Sequence, residues 1–125
     1  MNPEVRDTLA QELNRQRAVL FREVADTEAD LRVIAEERES EWEERAQEER
    51  LARLLAQLDD HGRQELAEID AALRRIAGGT YGTCEGCEHP ITEARLHALP
   101  ATRFCVHCAS VQERPRPRGE HGGGH

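Results

Sequence analysis

The chain has 125 residues, 38% of them hydrophobic and 3% aromatic, and a formal net charge of −8 even though it carries 17 basic residues, all arginine. So few large apolar side chains exclude a broad globular core and suit an extended helical arm joined to a small metal-stapled module. The acidic balance repels phosphate backbones and weighs against nucleic acid as the main partner, while no apolar run approaches the ~20 residues of a membrane span.

Between Val5 and Ile76 there is no proline and, apart from Gly62, no glycine. Apolar or tolerated residues recur in steps of three and four at Val5, Leu9, Leu13, Gln16, Leu20, Val24, Thr27, Leu31 and Ile34. They recur again at Leu51, Leu54, Leu55, Leu58, Leu66, Ile69, Leu73 and Ile76. This spacing predicts two helices, each with one narrow apolar seam. Turning the second back on the first sets Ile34 against Leu51, Leu31 against Leu54, Thr27 against Leu58, Leu20 against Leu66, Gln16 against Ile69, Leu13 against Leu73 and Leu9 against Ile76. One antiparallel register serves the whole arm, with its midpoint at Trp42 and Glu43. Ser40 followed by Glu43 fits a capping box that would start the returning helix. A single uninterrupted helix that dimerises is the alternative.

The tip is acidic, since residues 36–50 hold eight Glu against three Arg. At the other end of the arm, Gly78-Gly79 is placed to cap the second helix. Four cysteines follow at Cys84, Cys87, Cys105 and Cys108, two C-x-x-C pairs with 17 residues between them. Each pair can form a tight knuckle, and two knuckles complete the closed four-thiolate shell of one structural Zn²⁺. A catalytic zinc would need an open position, and a redox C-x-x-C would need a βαβ setting that is absent here. The chain opens without a basic n-region and an apolar h-region, so a reducing, cytoplasmic setting is expected rather than disulfides. His89, His97 and His107 lie near the cysteines in sequence, but four thiolates already fill the shell. Glu88 stands where a knuckle often has glycine, which predicts local backbone strain. Pro115 and Pro117 should stop the last helix near Glu113.

The fold class expected is therefore all-α. Residues 1–78 form an antiparallel coiled-coil hairpin with its tip near 40–46, residues 79–113 a four-cysteine zinc-finger module with a short C-terminal helix, and residues 114–125 a disordered tail rich in Pro, Gly and His. With zinc consuming the cysteines, no Ser/His/Asp or Cys/His arrangement is left for nucleophilic catalysis, so no enzyme is expected.

The stretch Gly79-Thr80-Tyr81-Gly82-Thr83-Cys84-Glu85-Gly86-Cys87, continuing through Ile91, Arg95-Leu96, Ala98, Pro100 and Cys105-Val106-His107-Cys108, closely resembles the DksA/TraR family of zinc-finger transcription factors. The resemblance is dense from about Leu66 to Cys108 and thinner toward the hairpin tip. It implies a monomeric factor that binds RNA polymerase through the secondary channel, pushes its hairpin tip toward the catalytic Mg²⁺ and modulates initiation without reading DNA sequence. Family members carry D-x-x-D-x-A at the tip; the matching residues here are Glu41, Glu44 and Ala46, close to the midpoint that the seams give independently. Carboxylates three apart share one helical face and bring negative potential to that end. The same acids would also stabilise a helix N-terminus through its dipole. Both are Glu where the family has Asp. Family members that respond to guanosine tetraphosphate use basic residues at positions that correspond to His61, Glu68 and Ala109, so binding of that alarmone is not expected. The alternatives from other classes are a zinc-ribbon coiled-coil adaptor and a nucleic-acid-binding protein.

Overall fold

The chain divides into two compact units, Met1–Tyr81 and Gly82–His125. The computed structural model describes residues 1–34 and 41–112, with the backbone alone at 33, 34 and 41–44. The apex of the hairpin with Ser40 and the tail after Gln112 lie outside the described residues, as do the side chains of Glu41, Trp42, Glu43 and Glu44.

The first unit is a helical hairpin. Helix α1 (Pro3–Arg22) starts where Asn2 accepts a hydrogen bond from the Glu4 N–H at 2.7 Å, with Pro3 in the first turn, where its missing N–H costs nothing. Helices α2 (Glu28–Ile34), α3 (Glu41–Gln57) and α4 (Asp60–Gly78) follow. Helix α1 lies against α4, and α2 lies against α3. Leu9, Leu13, Leu20 and Phe21 of α1 are buried, as are Leu66, Ile69 and Ala72 of α4. Across this seam Arg17 Nε meets Asp70 Oδ1 at 3.2 Å, and its guanidinium lies 5.0 Å over the Phe21 ring. As the sequence leads one to expect, Gly79 caps α4 in the left-handed conformation (φ 82°), its N–H bonding the carbonyls of Arg75 and Ile76.

Each arm of the hairpin is two helices rather than one. The first interruption is a side-chain cap: Thr27 Oγ1 accepts from the Asp30 N–H at 3.1 Å, and Asp30 Oδ2 accepts from the Asp26 N–H at 3.1 Å. The second is Asp59, whose Oδ1 accepts from the Gly62 N–H at 2.7 Å to start α4. Short polar side chains offer the backbone an alternative to the continuing helix, and at these two points the alternative wins.

Restarting the helix at Thr27 changes its phase, and this corrects the distal pairing. Leu31 is 47% exposed, Thr27 is an exposed cap, and Asp30 takes the buried place toward α3, 3.9 Å from Arg50 Nη1. Leu54 and Leu58 stay buried as expected, joined by Gln47. In the proximal half Ala72 is fully buried, while Leu73 and Ile76 are half-buried.

The Asp26 N–H holds the Asp30 carboxyl below its ordinary value against the opposing effect of burial, with Thr27 and Arg50 adding to the lowering. A depressed carboxyl adds stability above its unfolded pKa and loses it as pH falls through the folded one. Asp30→Asn should therefore be less stable than wild type to urea at neutral pH, and the gap should close as pH falls from 3.8, the ordinary aspartate value, toward the lowered one. An equal gap at pH 7 and pH 3 would show that the charge is irrelevant.

Candidate metal centre and hairpin tip

In the second unit, the first two cysteines sit on a loop closed on itself. Thr83 and Pro90 form an isolated antiparallel bridge. Inside it the Cys84 N–H bonds the His89 carbonyl at 2.9 Å, the Glu88 N–H bonds the Cys84 carbonyl at 2.9 Å, and the Ile91 N–H bonds the Gly82 carbonyl at 2.7 Å. This curl puts Glu88 at φ 65°, the strain expected at that position, worth about 1–2 kcal/mol for a residue with a Cβ. Helix α5 (Glu93–Ala98) is capped by Thr92 and anchored by the fully buried Leu96. Cys105 then precedes helix α6 (Val106–Gln112), with Cys108 in its first turn, and the Ala109 N–H bonds the Cys105 carbonyl at 2.8 Å.

The four Sγ atoms all lie within 4.8 Å of one another, and Cys87 and Cys105 approach to 3.9 Å. A tetrahedral zinc with Zn–S near 2.3 Å sets its sulfurs ~3.8 Å apart, so the donor set has the right chemistry and the right size. No disulfide joins the four cysteines, and among the described residues no histidine or carboxylate joins the group. His107 is therefore not a ligand in this arrangement.

The sulfurs are electrostatically unequal. Burial pushes the Cys84 thiol up, but the N–H groups of Cys105, Cys87 and Gly86 outweigh it and hold it at about 6. Cys108 is pushed up to about 12 by its sulfur neighbour Cys84, by burial and by the other two cysteines. Four thiolates this close repel, and a dication at their centre removes the repulsion.

Sequence reasoning passed over Gly86. A Cβ there would meet Cys108 Sγ at 2.9 Å and Cys108 Cβ at 3.2 Å, so only glycine lets the two knuckles close on one ion. Its N–H also donates to Cys84 Sγ at 3.3 Å. Within C-x-x-C nothing local marks this position, because the atoms it must clear come from residue 108.

Glu41, Glu44 and Ala46 all lie in α3, and Ala46 is half-buried. His61 Nε2 is 2.6 Å from Glu65 Oε1, Glu68 accepts from Gln64 at 3.0 Å, and Ala109 is buried.

The family description of the prokaryotic dksA/traR C4-type zinc finger matches residues 79–114. The chain is 32% identical over 114 residues to the RNA polymerase-binding transcription factor DksA of Caulobacter vibrioides, a match that covers 91% of this chain and 80% of that protein. The chain belongs to the DksA/TraR family. It is also 36% identical over 116 residues to an uncharacterised protein of Aquifex aeolicus, with 91% of this chain and 80% of that one covered. Among solved structures it resembles the transcription factor DksA2 from Pseudomonas aeruginosa, with TM-score 0.56, 27% identity, and 90% and 86% of the two chains covered. The DnaK suppressor protein from Agrobacterium tumefaciens C58 is similar at TM-score 0.52 and 33% identity, with 89% and 94% covered. Cys84, Cys87, Cys105 and Cys108 lie within the matched C4-type zinc finger and are the site of one structural Zn²⁺.

Proposed function

We propose that this protein is a cytoplasmic transcription regulator, not an enzyme, that binds RNA polymerase as a monomer through the secondary channel. Its hairpin carries Glu41, Glu44 and Ala46 toward the active-site Mg²⁺ and modulates initiation without reading DNA sequence. The observation that carries this reading is the extent of the likeness to the Caulobacter factor: it spans 91% of the chain and takes in the hairpin as well as the finger. The charge agrees with it, because a chain of net −8 is repelled by a phosphate backbone but suits a channel that leads to a metal ion. Glu41 and Glu44 stand three apart within α3, the spacing at which two carboxylates share one helical face, and this supports the reading. With His61 beside Glu65 and no charge at Ala109, the factor acts without binding guanosine tetraphosphate itself.

The test is binding of the zinc-loaded protein to purified core RNA polymerase without DNA, followed by light scattering. The free protein should run as a monomer and shift into a saturable one-to-one complex. Binding that needs nucleic acid and falls steeply with salt would replace this reading with nucleic-acid recognition. A dimer indifferent to polymerase would favour an adaptor.

A further inference from the structure

We propose that Arg95 is a positioning residue for the zinc finger: it holds the peptide plane between Phe104 and Cys105 so that the plane's N–H is aimed at Cys84 Sγ. The segment from Leu99 to Cys105 belongs to no helix or strand, so its geometry has to be set by particular contacts. Arg95 Nε donates to the Phe104 carbonyl at 2.8 Å, and Arg95 Nη2 to Thr102 Oγ1 at 3.4 Å. Thr102 Oγ1 in turn donates to the Phe104 carbonyl at 3.1 Å and accepts from the Phe104 N–H at 3.3 Å.

The Phe104 carbonyl and the Cys105 N–H are the two ends of one rigid peptide unit. On the far end, the Cys105 N–H donates to Cys84 Sγ at 3.3 Å, and the next bond along the chain leads to the ligand Cys105 itself. One guanidinium therefore fixes a plane that touches a first-pair sulfur and carries a second-pair one. The neighbouring peptide is tied in the same sense, since the Glu85 N–H bonds the Arg103 carbonyl at 2.9 Å. Arginine suits the task because its planar fork presents Nε and Nη2 together, where lysine would offer a single mobile point. Its base is steady: the Arg95 N–H bonds Thr92 Oγ1, and the next residue, Leu96, is fully buried. A positive group on the carbonyl also polarises the peptide and strengthens the N–H it presents to sulfur.

Outer contacts of this kind typically change metal affinity 10- to 100-fold. The test is the rate of zinc transfer from the full chain to a chromogenic chelator, paired with the thiolate-to-metal charge-transfer bands of the Co²⁺-loaded protein. Arg95→Met should release zinc about tenfold faster and shift the bands, and Arg95→Lys should fall between Met and wild type. A variant that only loosened packing would speed release with the bands unmoved and no rescue by Lys, and that result would overturn the proposal, as would a wild-type rate in Arg95→Met. Should Arg95→Met fail to fold, Thr102→Val decides the matter. It keeps the shape and removes the hydroxyl that Arg95 shares with Phe104, so faster release with shifted bands supports the role and wild-type behaviour refutes it.

Discussion

Protein carrying Cys105→Ser will be recovered with almost no zinc, where the wild type holds one ion per chain, and its second unit will lose fixed structure while the hairpin remains helical. The reason is the small apolar content of that unit. Ile91 and Leu96 are its main buried aliphatic side chains, contributing about 1.5–3 kcal/mol each. Ordering about thirty residues costs at least about 1 kcal/mol per residue, so apolar burial alone cannot hold the module together. Four-thiolate zinc binding couples directly to folding and supplies what is missing. Because α5 and α6 have only six and seven residues against 20, 7, 17 and 19 in α1–α4, the far-UV helical signal should fall by a small share. Dispersion of the amide signals of residues 82–112 should collapse. Wild-type protein purified without chelator and found free of metal would refute this account.

The zinc ligands were legible because coordination chemistry constrains residue type and spacing directly, with no need to know the fold. The hairpin was legible for a similar reason: a seam at helical period names the face that must be covered, and one register covered most of it. Periodicity says which side of a helix is apolar, however, and not whether the helix is continuous. The breaks at Thr27 and Asp59 are made by side chains two or three atoms long that bond N–H groups within three residues. They lie in a stretch free of proline, so they left no mark on the apolar pattern. Thr27-x-x-Asp30 is itself a readable N-terminal signature, of the same kind as Ser40-x-x-Glu43. Taking Thr27 as a tolerated seam residue instead carried Leu31 to the wrong face. Gly86 and Arg95 were opaque for a different cause: one must clear Cys108 and the other grips the Phe104 carbonyl, partners defined only once the finger is closed.

If the tip acts inside the polymerase, Glu41→Ala with Glu44→Ala should leave binding to core polymerase within a fewfold of wild type and abolish the effect on transcription from a sensitive promoter in a purified system. The motivation is that Glu41 and Glu44 stand three apart within α3 and match the tip acids that the resemblance to the family implies. Docking should rest on the broader surfaces of the finger and the hairpin base, so two carboxylates at the far end add little to affinity. Their competing role is to stabilise the N-terminus of α3, worth about 0.3–1 kcal/mol each at an exposed helix end. A loss of that size would lower the melting temperature a little and would leave transcription intact. Returning the residues to the family's shorter acid, as Glu41→Asp with Glu44→Asp, separates the two roles further. Aspartate serves a helix dipole as well as glutamate does but withdraws each carboxylate by one methylene, so a changed transcriptional effect with unchanged melting would mean that reach at the tip matters. Full transcriptional activity in a folded, polymerase-bound alanine double variant would reduce Glu41 and Glu44 to helix-stabilising charges.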